Sequence, residues 1–530
     1  MPDLNESDWF ERFVRAVWRI GSVSILSFSS GLPLGVVWYA IPDWMRDIGL
    51  DIRIVGLFTL AQAPWSFKVL WSPLMDRYVP PFWGRRRGWI AIGQVALFGL
   101  TLALAGVGHR PETPWVVGAL ALAIAFASAT QDIAYDAYTV DVLRRKEQGT
   151  AVGLKVAFYR AAMLVSGGLT ITLAARYSWP IVNAVLSLAY LLMLAFTWLA
   201  PEPEDKTVAP RTLRDAAWKP FLGFLSRHRA LEILAFVFFY KFADQLAQAL
   251  TRPFLNDMGY DEFQRGFALA IVGMAATIVG TLIGGVMTTL LGLGHSLWVF
   301  GVLQIFSNVG YYLVATSALS LPLMYGAAGF ELFTGGMGTG AFSVLLLRMT
   351  QKRFSATQYA LFSSLFGLPR ILSGPVCGFF VDALGWANFF LVTLAFGLPG
   401  MFLLSRFVPL GTREPKFAVE PVQERAALTA AQLGVRGLAG SVAGTALGLL
   451  LVALMTALKG LKTSPGLGFD LGAAVTRLLH PESVLDGLEL ASVGAFGIIC
   501  GLFTAAVFAA RYGNVTRLEP DPVELGEANE

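Results

Sequence analysis

The sequence predicts an all-α polytopic membrane protein, and three features carry that prediction. Of its 530 residues 55% are hydrophobic and only 14% are charged, against about 25% charged in soluble domains. The mean hydropathy is +0.61. The apolar residues also come in runs of about 18 to 25, the length a helix needs to cross a bilayer at about 1.5 Å per residue. Together these exclude a secreted, fibrous or disordered chain.

The runs fall at 20–41, 54–73, 89–108, 115–138, 152–175 and 179–200, then at 230–251, 266–290, 296–317, 321–347, 356–381 and 386–408, and last at 436–458 and 488–510. That is six helices, six more and an extra C-terminal pair, 14 in total. No small-residue cleavage site follows the first run, so it reads as a retained helix and not as a signal peptide. With the N-terminus in the cytoplasm, the cytoplasmic segments with the run ends bordering them hold 26 Lys and Arg and the external loops 9. Short-loop bases stay inside, so both termini are expected in the cytoplasm.

Six domains follow. Residues 1–200 make an N-terminal half and 230–409 a C-terminal half. Between them, 201–229 is a cytoplasmic linker opened by Pro201, Glu202, Pro203, Glu204 and Asp205. Its stretch 212–227 is amphipathic and suits the inner membrane face. A second linker, 410–435, leads to the extra pair at 436–511 and a cytoplasmic tail at 512–530. Gly440, Gly444 and Gly448 at four-residue spacing, with Gly497 and Gly501 on the other helix, let backbones approach closely. That closeness serves the pair itself, the bundle, a dimer interface or a lipid site. Residues 469–480 read as a short external interfacial helix.

Several classes of chemistry find no residues. Cys377 and Cys500 both lie in apolar runs and the four histidines are scattered, so neither a disulfide framework nor a metal site is expected. No nucleophile elbow, zinc-protease motif or phosphate loop occurs. Gly335, Gly336 and Gly338 lie inside a helical run and read as packing or a hinge. The net charge of +4 sits in short loops and calls for no nucleic acid. No catalytic residue, cofactor or metal is expected.

Charge within the runs is where chemistry concentrates, because charges in a bilayer mark pathways or structural pairs. Away from the run ends, the acids are Asp132, Asp136, Asp244 and Glu331; the bases are Lys68, Lys155, Arg160, Lys241 and Arg370. Counted from the run ends, Arg160, Lys241 and Glu331 lie about 15 Å deep and Arg370 about 20 Å from the cytoplasmic end. Lys68, Asp136 and Lys155 lie in the cytoplasmic third, as gating or snorkelling groups. Asp132 lies between these layers. Lys241 and Asp244 are three apart and predict an ion pair. Asp132 and Arg160, on the fourth and fifth runs, recur as Glu331 and Arg370 on the tenth and eleventh. Gly168 and Gly378 follow the two arginines at the same eight-residue distance. The repetition points to a shared cavity-lining role. Arg160, Arg370 and Lys241 suit an anionic substrate; Glu331, Asp132, Asp244 and Asp136 are candidates to take up a proton when buried. Trp38, Tyr39, Trp65, Tyr159 and Tyr240 either stack on sugar faces or form belts and packing. Pro369, beside Arg370, predicts a kink.

A six-helix half, a basic linker and a second six-helix half resemble the major facilitator fold, two parallel repeats around a central cavity. Asp76-Arg77-Tyr78 and Gly84-Arg85-Arg86-Arg87-Gly88 resemble that superfamily's loop signature, which latches the cytoplasmic side. The counterpart at 284–294 carries no charge, so the latch is expected mainly on the N-terminal half. Longer stretches resemble the AmpG muropeptide permeases. They are FSSGLPLG (28–35), FKVLWSPLMDRYVPPFWGRRRGW (67–89), SATQDIAYDAYTVDVL (128–143), YRAAMLVSGGL (159–169), YKFADQ (240–245), FELFTGGMGTGAF (330–342), FSATQYAL (354–361) and GPVCGFFV (374–381).

That resemblance implies a secondary transporter of the bacterial inner membrane. It would import anhydromuropeptides, a GlcNAc–anhydroMurNAc disaccharide with or without peptide, from periplasm to cytoplasm by proton symport and alternating access, for cell-wall recycling. Its partners are then the muropeptide, protons and membrane lipids, for a chain read as a monomer. Asp76, Arg77, Arg85, Arg86, Arg87, Asp132, Asp136, Arg160, Lys241, Asp244, Glu331 and Arg370 match the family's positions. Two other readings stay open: a carrier of the same fold for another anionic or amphiphilic solute, such as an acyl-CoA-like molecule, and a non-transporting receptor or scaffold.

Overall fold

The computed structural model describes residues 6–50, 58–109, 114–203, 209–225, 229–415, 426–463, 470–481 and 484–512, and every regular element among them is helical. The first run is one continuous rod: α1 (Glu6–Gly35), a π-helical turn (Val36–Ala40) and α2 (Ile41–Asp47). The second is broken into a 3₁₀ turn (Phe58–Gln62), α3 (Ala63–Phe67), a second 3₁₀ turn (Lys68–Leu70) and α4 (Ser72–Arg77). Pro64 and Pro73 each start a new turn there, as residues lacking an N–H do. Then follow α5 (Arg87–Gly106), α6 (Pro114–Val142), α7 (Gln148–Met163) with a π turn (Leu164–Leu169) into α8 (Thr170–Tyr177), and α9 (Trp179–Leu199).

The amphipathic stretch of the linker is α10 (Leu213–Leu225). The second half comprises α11 (Ala230–Ala249), α12 (Thr251–Asp257), α13 (Glu262–Gly266) with a π turn (Phe267–Val272) into α14 (Gly273–Leu291), α15 (Leu293–Thr316), α16 (Leu321–Met349) and α17 (Ser355–Phe407). α17 contains two of the expected runs. Its non-helical residue is Gly385 (φ 72°), a left-handed conformation glycine adopts without a Cβ penalty. Helical φ/ψ continue through Pro369, and the break falls at the glycine between the two runs. The C-terminal elements are α18 (Ala430–Thr463), α19 (Leu471–Leu479) and α20 (Val484–Arg511).

Among the described residues, eleven helices are long and apolar enough to cross a membrane, fewer than the fourteen expected. The runs that fall short are the second, seventh and eleventh. Prolines fragment the second, α11 carries Glu232, Lys241 and Asp244, and the eleventh is described only in part.

Two compact units result. The first is Met1–Ala217, Glu232–Gly374 and Leu384–Lys416; the second is Trp218–Leu231, Pro375–Ala383 and Phe417–Glu530. In the first unit, Leu32, Trp44, Leu97, Ile124, Trp179 and Tyr190 belong to one buried cluster, and Trp44 stacks on Trp179 at 5.3 Å. A second cluster joins Val23, Leu26, Met75, Ile133 and Tyr138 to Ala356 and Ala360 of α17, so it crosses from one half to the other.

In the second unit the glycine stripe is the contact between α18 and α20. A Cβ at Gly440 would strike Thr504 and one at Gly444 would strike Cys500, while Gly497 lies against Ser441 and Thr445. The expected interfacial helix is α19, capped by the Asp470 carboxylate accepting from Ala473 N at 2.9 Å. Its Ala474 and Leu478 pack on Ala453 and Ala457. Gly444→Ala is expected to cost about 1–3 kcal/mol through overpacking, read as a lower melting temperature in detergent. Gly434→Ala, which meets open space, should leave it unchanged.

Candidate functional site

One end of the first unit is closed around Asp76. Its carboxylate is 0% exposed and accepts from Arg85 Nη2 at 3.0 Å and Arg86 Nη2 at 2.8 Å. It also accepts from Ala356 N at 3.3 Å, Thr357 N at 2.8 Å and Thr357 Oγ1 at 2.6 Å. An acid on the first half therefore sits on the N-terminus of α17 in the second half, where free N–H groups and the helix dipole favour an anion. Arg86 adds bonds to Asp141 (2.8 Å) and Ser355 Oγ (2.7 Å), and Arg85 reaches the Arg353 carbonyl at 2.9 Å. Trp83 (φ 56°) and Gly84 (φ 76°) turn the loop so that these arginines point inward. Burial alone would lower the Arg86 guanidinium, but Asp141 and Asp76 outweigh it and hold it above its ordinary value. Burial and the neighbouring Arg86 push Arg85 down to about 10, so both stay charged near neutrality.

The other two arginines of the signature act elsewhere. Arg87 donates to the Ala200 carbonyl at 2.7 Å and pairs with Glu202, and Arg77 lies over the ring of Tyr78. The same end of the unit is tightened by glycines, since a Cβ at Gly149 would strike Thr289 and one at Gly285 would strike Gly153. Arg348 of α16 bridges Gln148 at 3.2 Å and Glu414.

Deeper in, the charges sort into paired and unpaired sets. Asp136 lies between Lys68 (3.1 Å) and Lys155 (2.7 Å), and Lys155 also lies over the rings of Tyr135 and Tyr359. The Lys241–Asp244 pair that their spacing predicts is formed at 3.0 Å. Lys241 gives its other protons to Gln304 Oε1 and the Gly335 carbonyl (2.9 Å), so all three donors are spent inside its own half. Tyr240 stacks on Phe342 at 5.4 Å and donates to the Leu297 carbonyl at 3.0 Å, which leaves neither its ring nor its hydroxyl facing outward.

Asp132, Glu331, Arg160 and Arg370 remain. No ion pair to any of them is formed among the described residues. Asp132 is buried and accepts from Ser30 Oγ. Glu331 is 1% exposed; its Oε1 accepts from Gln248 Nε2 at 2.7 Å, while its Oε2 has no hydrogen-bond partner. Arg370 lies over the ring of Trp38 at 4.8 Å, a cation–π contact between the two halves. Trp38 meets Trp65 edge-on at 6.2 Å, and both indole Nε1 groups are buried without a partner. Tyr159 is within electrostatic range of Asp132, Arg160 and Arg370. Tyr39 is half exposed and packs on Gly167. A π turn holds Trp38 and Tyr39, and another begins four residues after Arg160; such turns recur at functional sites.

The Major Facilitator Superfamily model matches residues 23–374, which span the latch and both repeated acid–arginine pairs. The anhydromuropeptide permease of Escherichia coli (strain K12) is 42% identical over 388 residues, 73% of this chain and 79% of that one. The chain belongs to the AmpG family of major facilitator permeases. Family membership makes it a multi-pass membrane transporter and not an enzyme. A Rickettsia conorii (strain Malish 7) transporter named AmpG 4 is 29% identical over 401 residues, 73% of this permease and 96% of its own length. A bacterial homologue of the iron transporter ferroportin, solved outward-facing, superposes with a TM-score of 0.54 at 12% identity, covering 74% of the permease and 98% of that chain; at that identity the likeness is of fold alone.

The cluster around Asp76 contains residues that the sequence reading missed. Asp141, Ser355 and Thr357 complete it, and the Ser-Ala-Thr opening of α17 is the cap-type signal that could have found the last two. Ser30, Gln248, Gln304 and Tyr311 were also missed, because uncharged polar residues in an apolar run carry no signal of their own.

Proposed function

We propose that the permease imports anhydromuropeptides across the bacterial inner membrane with protons, by alternating access. The observation that carries this reading is that, among the described residues, the charges deep in the runs left without ion pairs are the repeated ones, Asp132 with Arg160 and Glu331 with Arg370. A structural network would neutralise its charges, as Asp136 and Asp244 are neutralised; Asp132 and Glu331 are buried with no such partner, and buried ions left uncompensated are costly and mark function. Arg160 and Arg370 suit peptide carboxylates, which take a bidentate guanidinium. Trp38, Trp65 and Tyr159 suit the sugars, with two free indole N–H groups to donate to hydroxyls. Glu331 and Asp132 are the proton carriers. Asp136, Lys241, Asp244 and Tyr240 hold the scaffold that positions them.

Both termini and the Asp76 latch then face the cytoplasm, and with the latch engaged the cavity between the halves receives substrate from the periplasm. Proton and substrate binding together release Asp76 from α17, and the inner side opens. Loading from the periplasm and release to the cytoplasm supply the cell with wall fragments for reuse.

The test is ligand comparison. Arg370→Ala should weaken binding of peptide-bearing muropeptide about 10- to 100-fold, the worth of a charge-assisted hydrogen bond. Binding of the bare disaccharide, measured by the same calorimetric titration, should change far less. Equal losses for the two ligands would make Arg370 a structural residue and remove the anion-binding part of the reading.

A further inference from the structure

We propose that protons reach Glu331 through a passage lying wholly within the C-terminal half, separate from the substrate cavity between the halves. The inference rests on the reading of Glu331 as a proton carrier and adds the route by which it is loaded.

A cavity of about 390 Å³ is lined by Gln248, Thr251, Arg252, Leu269, Tyr311 and Glu331 among others, and no lining residue comes from the first half. That is many times the roughly 30 Å³ share of one water molecule. A second cavity, of about 560 Å³, shares Arg252, Pro253 and Leu269 with the first and continues past Asn256 to Asp257, Glu262 and Arg265. Two voids with a common wall thus run from the end opposite the latch to a buried carboxyl. The direction is fixed by contacts. Tyr260 donates to the Ser320 carbonyl and Trp386 to Asp257 at this end, while Arg87 and Arg348 tie down the other.

The inner cavity offers a proton somewhere to go. Glu331 Oε2 and the Tyr311 hydroxyl are both buried without a hydrogen-bond partner, and both line it. The groups that face Glu331 are Gln248, which donates to Oε1, Asp244 and Lys241 further along α11, Tyr311 on α15, and the exposed Arg252 at the neck. Asp257 and Glu262 at the mouth gather protons. A hydronium ion gives its proton to Oε2 and leaves as water. Leu269 stands on the π turn and lines both cavities, where a larger side chain would narrow the neck.

Leu269→Trp in proteoliposomes should cut gradient-driven accumulation of labelled anhydromuropeptide about tenfold, while substrate counterflow stays near the wild-type rate. Normal accumulation, or an equal fall in both, would overturn the passage. A second variant guards against misfolding: Leu269→Cys, with Cys377 and Cys500 replaced by serine, should react with a water-soluble thiol reagent at an unchanged rate when substrate saturates the carrier. Protection by substrate would place Leu269 on the substrate path and overturn the proposal. Wild-type protein runs alongside. Failure of wild type to use the gradient at all would count against the transport reading, whereas normal wild-type coupling with an unimpaired Leu269→Trp would count against the passage alone.

Discussion

Replacing Glu331 by glutamine is expected to abolish accumulation of substrate against its gradient and to leave substrate exchange running. The expectation follows from its surroundings. Gln248 satisfies one carboxyl oxygen, the other has no partner, and Lys241 is already committed to Asp244, Gln304 and Gly335. A glutamine keeps the bond to Gln248 and the volume of the side chain but cannot carry a proton. Because no base depends on Glu331, neutralising it strands no counter-charge and the fold should tolerate it. Accumulation by Glu331→Gln equal to wild type, in vesicles with an inward proton gradient, would remove Glu331 from the coupling mechanism and leave Asp132 as the carrier.

Asp76→Asn is expected to be the most damaging change at the latch. Asp76 accepts five hydrogen bonds from two arginines and the start of α17, with no exposure to solvent. The substitution leaves Arg86 buried with Asp141 as its remaining close anion and puts an amide where the helix terminus favours a charge. Removing one partner of a buried pair costs about 3–5 kcal/mol. The melting temperature should fall, and transport should fall with it because the inner side no longer closes. Arg77→Ala is the control, since Arg77 only lies over Tyr78 and exposed contacts of that kind contribute about 0.5–1 kcal/mol. If Asp76→Asn proved no more harmful than Arg77→Ala, the carboxylate would not be what joins the halves.

Much of this was legible in the chain because a bilayer leaves few solutions. An apolar run must become a helix, and a charge inside it must be paired or used. The repeat of Asp132–Arg160 as Glu331–Arg370 singled out the same four residues that three-dimensional pairing leaves over. What the sequence hid has physical reasons. Pro64 and Pro73 lie within a run whose hydropathy reads as one helix, so its fragmentation is invisible to composition. The latch was expected mainly on the first half because its counterpart loop bears no charge. Its partners are backbone N–H groups of α17, which any sequence possesses, with the hydroxyls of Ser355 and Thr357. Lys241 and Tyr240 looked available for substrate on depth alone, and only their contacts reveal that Gln304, Gly335, Phe342 and Leu297 already occupy them.

The central claim, that this permease couples muropeptide import to protons, is tested most directly by uptake of labelled anhydromuropeptide into proteoliposomes with and without an inward proton gradient. The account predicts accumulation above the external concentration only when the gradient is present. Uptake by folded protein that merely equilibrates, whether or not the gradient is imposed, would contradict it.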